Sequence, residues 1–176
     1  MSQDLTQDFQ RPEPRLWTRE GFREDDWTRI GSPDEAVPGE KQIAPLEVWL
    51  ALNGNERAGM GVHVAPGEAL DPLIGHLDEI PLISLGFPAF SDGRSFSKAE
   101  LLRSRHGYQG ELRASGDVLI DLIPHMLRTG FDSFEVVNET ALRRLGEGRV
   151  GGLPGHYQPT SVPAAGERYS WRRLPG

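Results

Sequence analysis

Ile80-Pro81-Leu82-Ile83-Ser84-Leu85 is the stretch that decides the fold, because its side chains are nearly all apolar, as in a strand buried on both faces. The loop Pro88-Ala89-Phe90-Ser91-Asp92-Gly93-Arg94-Ser95-Phe96-Ser97 follows it. Ser97-Lys98-Ala99-Glu100 then matches a capping box, and Gly107 is a natural end for a helix. We therefore predict a buried strand, a loop and a helix that begins at Ser97.

The same order of strand and helix is predicted twice more along the chain. Glu111–Ala114 has the composition of a short strand, and Asp117 is a candidate cap for a helix that ends near Gly130 and that Pro124 should kink. Ser133–Val137 predicts a third strand. A last short helix follows, and its predicted cap is Asn138 or Thr140.

Strands and helices that alternate with short connections favour right-handed βαβ units and a mostly parallel sheet. The alternation covers residues 80–146, so the sequence predicts an α/β fold. An open Rossmann-like sheet and a partial β/α barrel both fit this pattern. We prefer the open sheet because the chain has only 176 residues.

Three segments are expected along the chain. Residues 1–45 are polar, acidic and interrupted by proline, which predicts an extended arm that docks through its aromatic side chains. A partner-binding patch formed by Trp17 and Trp27 is the alternative. Residues 46–147 are predicted to form the α/β domain, with strands over residues 47–52 and 60–64 and a short helix from Asp71. Residues 148–176 predict an irregular C-terminal tail.

Charge and composition exclude several classes of function. The formal charge of -7, from 19 Lys and Arg against 26 Asp and Glu, argues against nucleic-acid binding, which needs a basic face. The absence of cysteine excludes disulfides, thiolate-ligated clusters and a cysteine nucleophile. The sequence contains no leader-like segment and no apolar run near the roughly 20 residues that span a membrane. We therefore expect a cytoplasmic protein that binds neither nucleic acid nor membrane.

Three loops should meet where the carboxyl ends of the predicted parallel strands share one edge of the sheet, namely residues 86–96, 115–117 and 138–140. Helix N-termini behind such loops attract anions. Arg94 and Arg113 are therefore candidate ligands for a carboxylate, a phosphate or a sulfur oxyanion. The alternative is that Arg94 pairs with Asp92 or Asp117 and only braces its loop.

The remaining candidate binding residues at this edge are Asp92, Asp117, Ser97 and Asn138. Asp92 and Asp117 are also the candidate catalytic residues, because two facing carboxylates can share a proton or hold a hard cation. The five histidines lack metal-ligand spacing, and no G-x-S-x-G, Walker A or G-x-G-x-x-G motif is present. We therefore predict no metal and no cofactor, and the reaction itself stays unassigned.

Five linked motifs follow one another along the chain: Phe87-Pro88; Asp92-Gly93-Arg94 with Phe96-Ser97; Leu101-Leu102-Arg103; Gly110-Glu111-Leu112-Arg113-Ala114 with Gly116-Asp117-Val118-Leu119; and Gly130-Phe131-Asp132 with Phe134-Glu135. In this order they resemble the bacterial family catalogued as domain of unknown function 934. The resemblance covers roughly residues 45–160. The chain departs from the family pattern at Gly86, Leu122 and Pro124.

The resemblance implies a metabolic context. Members tend to be encoded beside sulfite or nitrite reductase and other sulfate-assimilation enzymes, and they are described as probable oxidoreductases of sulfite reduction. We therefore expect an accessory protein of assimilatory sulfite or nitrite reduction that binds a small oxyanion, the reductase, or both. Two alternatives stay open, namely a small α/β oxidoreductase or lyase with a noncovalent cofactor, and a structural adaptor without a small-molecule site.

Overall fold

The computed structural model describes residues 13–89 and 92–150, and these residues contain eight strands and four α-helices. The elements are, in chain order, β1 (Arg15–Thr18), β2 (Gly21–Arg23), β3 (Thr28–Arg29), β4 (Gln42–Pro45), α1 (Leu46–Ala51), β5 (Gly61–Val64), β6 (Leu82–Phe87), α2 (Arg94–Glu100), β7 (Glu111–Gly116), α3 (Ile123–Thr129), β8 (Ser133–Val136) and α4 (Glu139–Gly146). Short 3-10 helices cover Pro33–Glu35 and Asp71–His76, and a π-helical turn, Leu101–Arg105, extends α2.

The eight strands form one curled, mostly parallel sheet, which makes half of a barrel. The strand order is β2-β1-β8-β7-β6-β5-β4-β3. The pairs of neighbouring strands from β3 to β8 are parallel, while β1 is antiparallel to both β8 and β2. From β3 to β8 each strand is added beside the previous one, so the sheet winds in one direction.

This strand order decides between the two predicted architectures. The α/β fold with a mostly parallel sheet is confirmed, and all six residues of β6 are buried, as expected. A Rossmann-like sheet reverses its winding direction at a switch point, whereas β3 to β8 follow one another without a reversal. The preference for an open Rossmann-like sheet is therefore replaced by the alternative, a partial β/α barrel.

Alternation along the strands separates an apolar outer face from a polar inner face. Ile83, Leu85 and Leu112 belong to the large hydrophobic core, which includes residues of all four α-helices. The residues between them point to the other face. On that face His63, Ser84, Arg113 and Ser133 are neighbours in register on the adjacent strands β5, β6, β7 and β8. The concave side of the half-barrel is thus lined by polar groups.

The N-terminal segment differs from the predicted extended arm. Residues 15–45 contribute β1 to β4, and Trp17 is 3% exposed because it packs on Phe134 of β8. Trp17 therefore belongs to the core and does not form a partner-binding patch. Residues 1–12 and residues 151–176 of the predicted tail lie outside the described residues.

Three local predictions are corrected. Residues 46–51 form helix α1 and not a strand, since Pro45 ends β4 and the helix buries Leu46, Val48 and Trp49 on one side. Helix α2 starts at Arg94, so Ser97 is an exposed residue within it and not its cap. Helix α3 starts only at Ile123, and Pro124 occupies its first turn, where proline causes no kink.

Other local predictions are confirmed. Strands β5, β7 and β8 lie where the sequence predicts strands, and Asp71 begins a short 3-10 helix. Asn138 caps α4, because its side-chain oxygen accepts a hydrogen bond of 3.0 Å from the backbone N–H of Ala141. No helix among the described residues is long and apolar enough to cross a membrane.

Gly116 at the end of β7 offers a test of this fold. Its φ angle is +98°, and a Cβ atom there would overlap the carbonyl oxygen of Phe87 on the neighbouring strand. We expect Gly116→Ala to lower the free energy of unfolding by at least about 1–2 kcal/mol, since a left-handed backbone is strained in alanine. Gly146→Ala is the matched control, because Gly146 is helical and has open space around it. Equal unfolding free energies of the two variants in urea would contradict the close approach of β6 and β7.

Candidate functional site

The polar inner face is the candidate functional site. One part of it lies at the carboxyl ends of the parallel strands. Arg29 of β3 reaches across the concave side, where its Nη2 donates to the Glu135 carboxylate at 2.6 Å and to Ser84 Oγ at 3.3 Å. The Arg29 side chain is 42% exposed, whereas that of Glu135 is 10% exposed. A half-exposed guanidinium is thus held over the inner face by a buried carboxylate.

His63, Ser84 and Ser115 form a hydrogen-bonded chain across β5, β6 and β7. His63 Nδ1 lies 3.1 Å from Ser84 Oγ, and Ser84 Oγ lies 3.1 Å from Ser115 Oγ. Burial, and then the neighbouring Arg29 guanidinium, lower the pKa of His63 to about 4. The imidazole is therefore neutral at neutral pH, with one N–H and one lone pair.

Gly86 makes room for this imidazole. A Cβ atom at Gly86 would lie 3.2 Å from His63 Cε1 and 3.4 Å from His63 Nε2. Gly86 is also the register partner of Ser115. His63 and Ser115 therefore flank a position on β6 that carries no side chain.

A cavity of about 400 Å³ opens above these groups, and we call it the carboxyl-end cavity. It is lined by Arg29, His63, Ala65, Pro66, Gly86, Phe87, Pro88, Ser115, Gly116 and Glu135. A second cavity of about 490 Å³ shares Phe87, Pro88, Gly116 and Glu135 with it and adds Asp117. Both are large enough for a small molecule, and the polar groups of the inner face lie at the floor of the first.

Nearer the amino ends of the strands, the inner face contains Arg113, which is 1% exposed and binds several carboxylates. Its guanidinium donates to Asp25 Oδ2 at 2.7 Å and to Glu111 Oε1 at 3.0 Å, and it lies 3.6 Å from Glu135. Burial acts to lower the pKa of Arg113, but the carboxylates of Glu111 and Asp25 outweigh it and raise the pKa. Ser133 donates to the same Glu111 oxygen at 2.5 Å. Arg113 is thus a buried, carboxylate-bound cation.

Arg113 also lines a cavity of about 380 Å³ near the amino ends of the strands, together with Trp27, Lys41 and Glu111. This amino-end cavity lies at the opposite end of the strands from the predicted carboxyl-end edge. Arg94 lines none of the three cavities described for this chain. Arg94 and Arg113 share no hydrogen-bond partner among the described residues, so the structure does not bring the two predicted anion ligands together.

Arg94 makes the bracing contact that the sequence offered as the alternative. Its guanidinium donates to both carboxylate oxygens of Asp92, at 2.6 Å and 2.9 Å. The side-chain hydrogen bond from Arg94 is the largest effect that lowers the pKa of Asp92, to about 2. Asp92 is therefore ionised and paired at neutral pH, which leaves it no proton to share with Asp117.

The other predicted site residues have separate positions. Asp117 lines the second cavity, of about 490 Å³, and its backbone N–H donates to the Phe87 carbonyl at 2.7 Å. Ser97 is exposed on α2, and Asn138 caps α4. Residues 90 and 91 of the predicted loop lie outside the described residues. No group of three or more metal-ligating side chains occurs within residues 13–89 and 92–150.

The residues that gather at the carboxyl-end cavity are ones that the sequence did not single out. They are Arg29, His63, Ser115 and Glu135, which line the cavity, and Ser84, which is hydrogen-bonded to the first three. A signal was present, because His63 and Ser84 are single polar residues inside otherwise apolar strands. In a strand covered by helices on one face, such residues mark the opposite face.

Arg113 should be necessary for stability. Arg113→Met leaves Glu111 and Asp25 without their cation, and since both side chains are about a third exposed, we expect the free energy of unfolding to fall by about 1–3 kcal/mol. Arg23→Met is the control, because the Arg23–Glu20 pair is exposed and should contribute about 0–1 kcal/mol. Urea unfolding monitored by circular dichroism measures both. Similar small losses in the two variants would show that the Arg113 network does not hold the inner face.

The lowered pKa of His63 should make the fold less stable in acid. The ordinary histidine pKa is 6.5, so between pH 6.5 and about 4 the unfolded chain binds a proton that the folded protein does not. Stability should therefore fall as pH drops through this window, and His63→Gln should lack this part of the loss. An NMR titration of the wild type, with His63→Gln to assign the signal, should place the midpoint near pH 4. A midpoint near 6.5 would contradict the burial of the imidazole.

Comparison with known proteins gave one family match. Neither curated proteins nor solved structures matched the chain. The family described as "Bacterial protein of unknown function (DUF934)" matches residues 61–166, which include the strands from β5 to β8 and thus His63, Ser84, Ser115 and Glu135. Since this match covers more than half of the 176 residues, the chain belongs to the DUF934 family of bacterial proteins.

Proposed function

We propose that the carboxyl-end cavity binds a small oxyanion, and that the protein is an accessory factor of assimilatory sulfite or nitrite reduction. The single observation behind this proposal is the Arg29 guanidinium, 42% exposed, above a polar inner face. Arg29 takes the place that Arg94 and Arg113 had in the sequence-based hypothesis. In β/α barrels and half-barrels the carboxyl ends of the strands are the usual position for a ligand.

Arg29 has donors left for a ligand. Its Nη2 donates hydrogen bonds to Glu135 and Ser84, whereas its Nε and Nη1 have no hydrogen-bond partner among the described residues. A guanidinium carries five N–H donors in a planar fork, which matches two oxygens of an oxyanion. Glu135 lowers the net positive charge at this point, but its ion pair also holds the fork in place, so less side-chain entropy is lost on binding.

The other groups at the cavity floor are hydrogen-bonding and uncharged. His63 is neutral, and Ser115 contributes a hydroxyl. One positive charge, one imidazole and one hydroxyl suit a compact ion of single charge better than a large polyanion. Hydrogensulfite, the protonated form of sulfite, and nitrite belong to this class, and the gene neighbourhood of the resembling family is the reason to prefer them.

The reductase is the partner that the same context suggests. We propose that it meets the protein at the carboxyl-end edge, where the cavity opens, so that a bound oxyanion lies at the contact surface. Co-purification of a tagged protein with sulfite reductase tests this part. The partner should be retained in the wild type and reduced when Pro88, at the cavity mouth, is changed to Arg.

Sulfite should raise the melting temperature of the protein through Arg29. At a ligand concentration 100 times the dissociation constant, binding adds about 2.7 kcal/mol to the stability of the native state. We expect this shift with sulfite in the wild type and its loss in Arg29→Gln, which keeps a polar group but removes the charge. Differential scanning fluorimetry in buffers of equal ionic strength measures it.

Arg94→Gln is the matched control, because Arg94 is an exposed arginine at the same end of the sheet that is paired with Asp92. It should keep the full sulfite shift. The absence of any shift in the wild type, or its loss in Arg94→Gln and not in Arg29→Gln, would overturn the proposal.

A further inference from the structure

We propose that this site selects oxyanions that carry a proton, such as hydrogenphosphate, hydrogencarbonate or hydrogensulfite, over oxyanions that carry none, such as sulfate. The inference rests on the proposed function and narrows its substrate class, because it favours hydrogensulfite over nitrite, which carries no proton at neutral pH. It follows from the chain His63–Ser84–Ser115, both ends of which line the carboxyl-end cavity.

Counting protons along the chain shows what its ends can do. A neutral imidazole and two hydroxyl groups carry three protons, and the two hydrogen bonds inside the chain use two of them. One proton is left, and it lies at one end. If the bonds run from His63 towards Ser115, the Ser115 hydroxyl donates outward and His63 Nε2 offers a lone pair. If they run the other way, His63 Nε2–H donates and Ser115 Oγ accepts. In both cases one end donates while the other accepts.

Ser84 keeps the two ends coupled. Its hydroxyl oxygen also accepts a hydrogen bond from Arg29 Nη2 at 3.3 Å, and it is completely buried. With one bond donated and two accepted, Ser84 has no capacity left for a ligand. It therefore acts as a positioning residue that transmits the hydrogen-bond direction between His63 and Ser115.

Both ends line the carboxyl-end cavity. His63 Nε2 and Ser115 Oγ have no further hydrogen-bond partner within the described part of the chain, and Gly86 lies between them without a side chain. The ligand position next to them must also satisfy Arg29. Glu135 is the other charged residue in the cavity lining described for this chain.

A complementary ligand therefore needs three features: negative charge for Arg29, an unprotonated oxygen for the donating end, and an O–H for the accepting end. A monoprotonated oxyanion has all three. Sulfate has the same tetrahedral shape as phosphate, but at neutral pH it offers only acceptors, so its oxygen would face the lone pair at one end of the chain and the Glu135 carboxylate. An unmatched polar contact of this kind is the usual source of strong discrimination between similar ligands.

Titration calorimetry with sodium phosphate and sodium sulfate, at pH 7 and equal ionic strength, tests the inference on the chain of 176 residues. We expect phosphate to bind at least about tenfold more tightly than sulfate. Ser84→Ala removes the coupling without removing a ligand contact, so it should reduce the phosphate-to-sulfate ratio towards 1 while Arg29 still binds both ions. Ser115→Ala is a second variant with the same expected loss of selectivity.

Ser133→Ala is the matched control, since Ser133 is a buried serine of the same inner face that bonds to Glu111 away from this cavity. Its ratio should equal that of the wild type. Equal affinities for phosphate and sulfate in the wild type, or an unchanged ratio in both Ser84→Ala and Ser115→Ala, would overturn the selectivity while leaving oxyanion binding in place. Binding of neither ion would overturn the proposed function as well.

Discussion

A buried guanidinium bound by carboxylates from separate parts of the chain is the constraint on which the inner face depends. Arg113 lies in the middle of β7 and is held by Asp25, from the connection between β2 and β3, and by Glu111, with Glu135 of β8 at 3.6 Å. An isolated buried charge is very costly, so these carboxylates must stay in place for the sheet to fold. The network therefore ties the N-terminal strands to the parallel sheet.

Glu135 connects this network to the candidate site. It lies beside Arg113 on one side and accepts a 2.6 Å hydrogen bond from Arg29 on the other. The same carboxylate thus contacts the buried cation nearer the amino ends of the strands and the half-exposed cation of the carboxyl-end cavity. Because the local dielectric is low, both contacts are strong, and a substitution at either arginine should change the interaction of Glu135 with the other. Glu135 is thus the group that both arginines contact.

The direction of winding explains why a polar surface is open at all. Right-handed connections between strands that follow one another in order place the helices on the same side of the sheet. The outer face is then apolar and covered, and the concave face is left for polar groups. In a complete barrel the missing strands would fill that space with side chains. Here the half-barrel leaves it as a set of cavities.

Local patterns predicted much of this fold, while contacts distant in sequence escaped them. The apolar run of β6 and the cap of α4 depend on neighbouring residues, and both are confirmed. The run 47–52 is too short for periodicity to separate a helix from a strand, and α1 was mistaken for a strand. Strand β1 pairs with β8, more than 100 residues away, which no local pattern indicates.

At the carboxyl-end edge, where the sequence predicts a ligand site, the structure has a cavity whose lining includes neither Arg94 nor Arg113. The Arg94–Asp92 contact is local in sequence and appeared among the alternatives. Arg29, His63 and Glu135 meet only because β3, β5 and β8 belong to one curled sheet, and strand order is a property of the whole fold. We therefore propose that Arg29 binds a sulfite-class anion next to His63 and Ser115, the two ends of the hydrogen-bonded chain.

A crystal structure of the protein grown with sulfite tests this claim most directly. We expect electron density for the anion in the carboxyl-end cavity, within hydrogen-bond distance of the Arg29 guanidinium and beside His63 and Ser115. Density at Arg94 with an empty carboxyl-end cavity, or an inner face that stays empty at saturating sulfite, would contradict it.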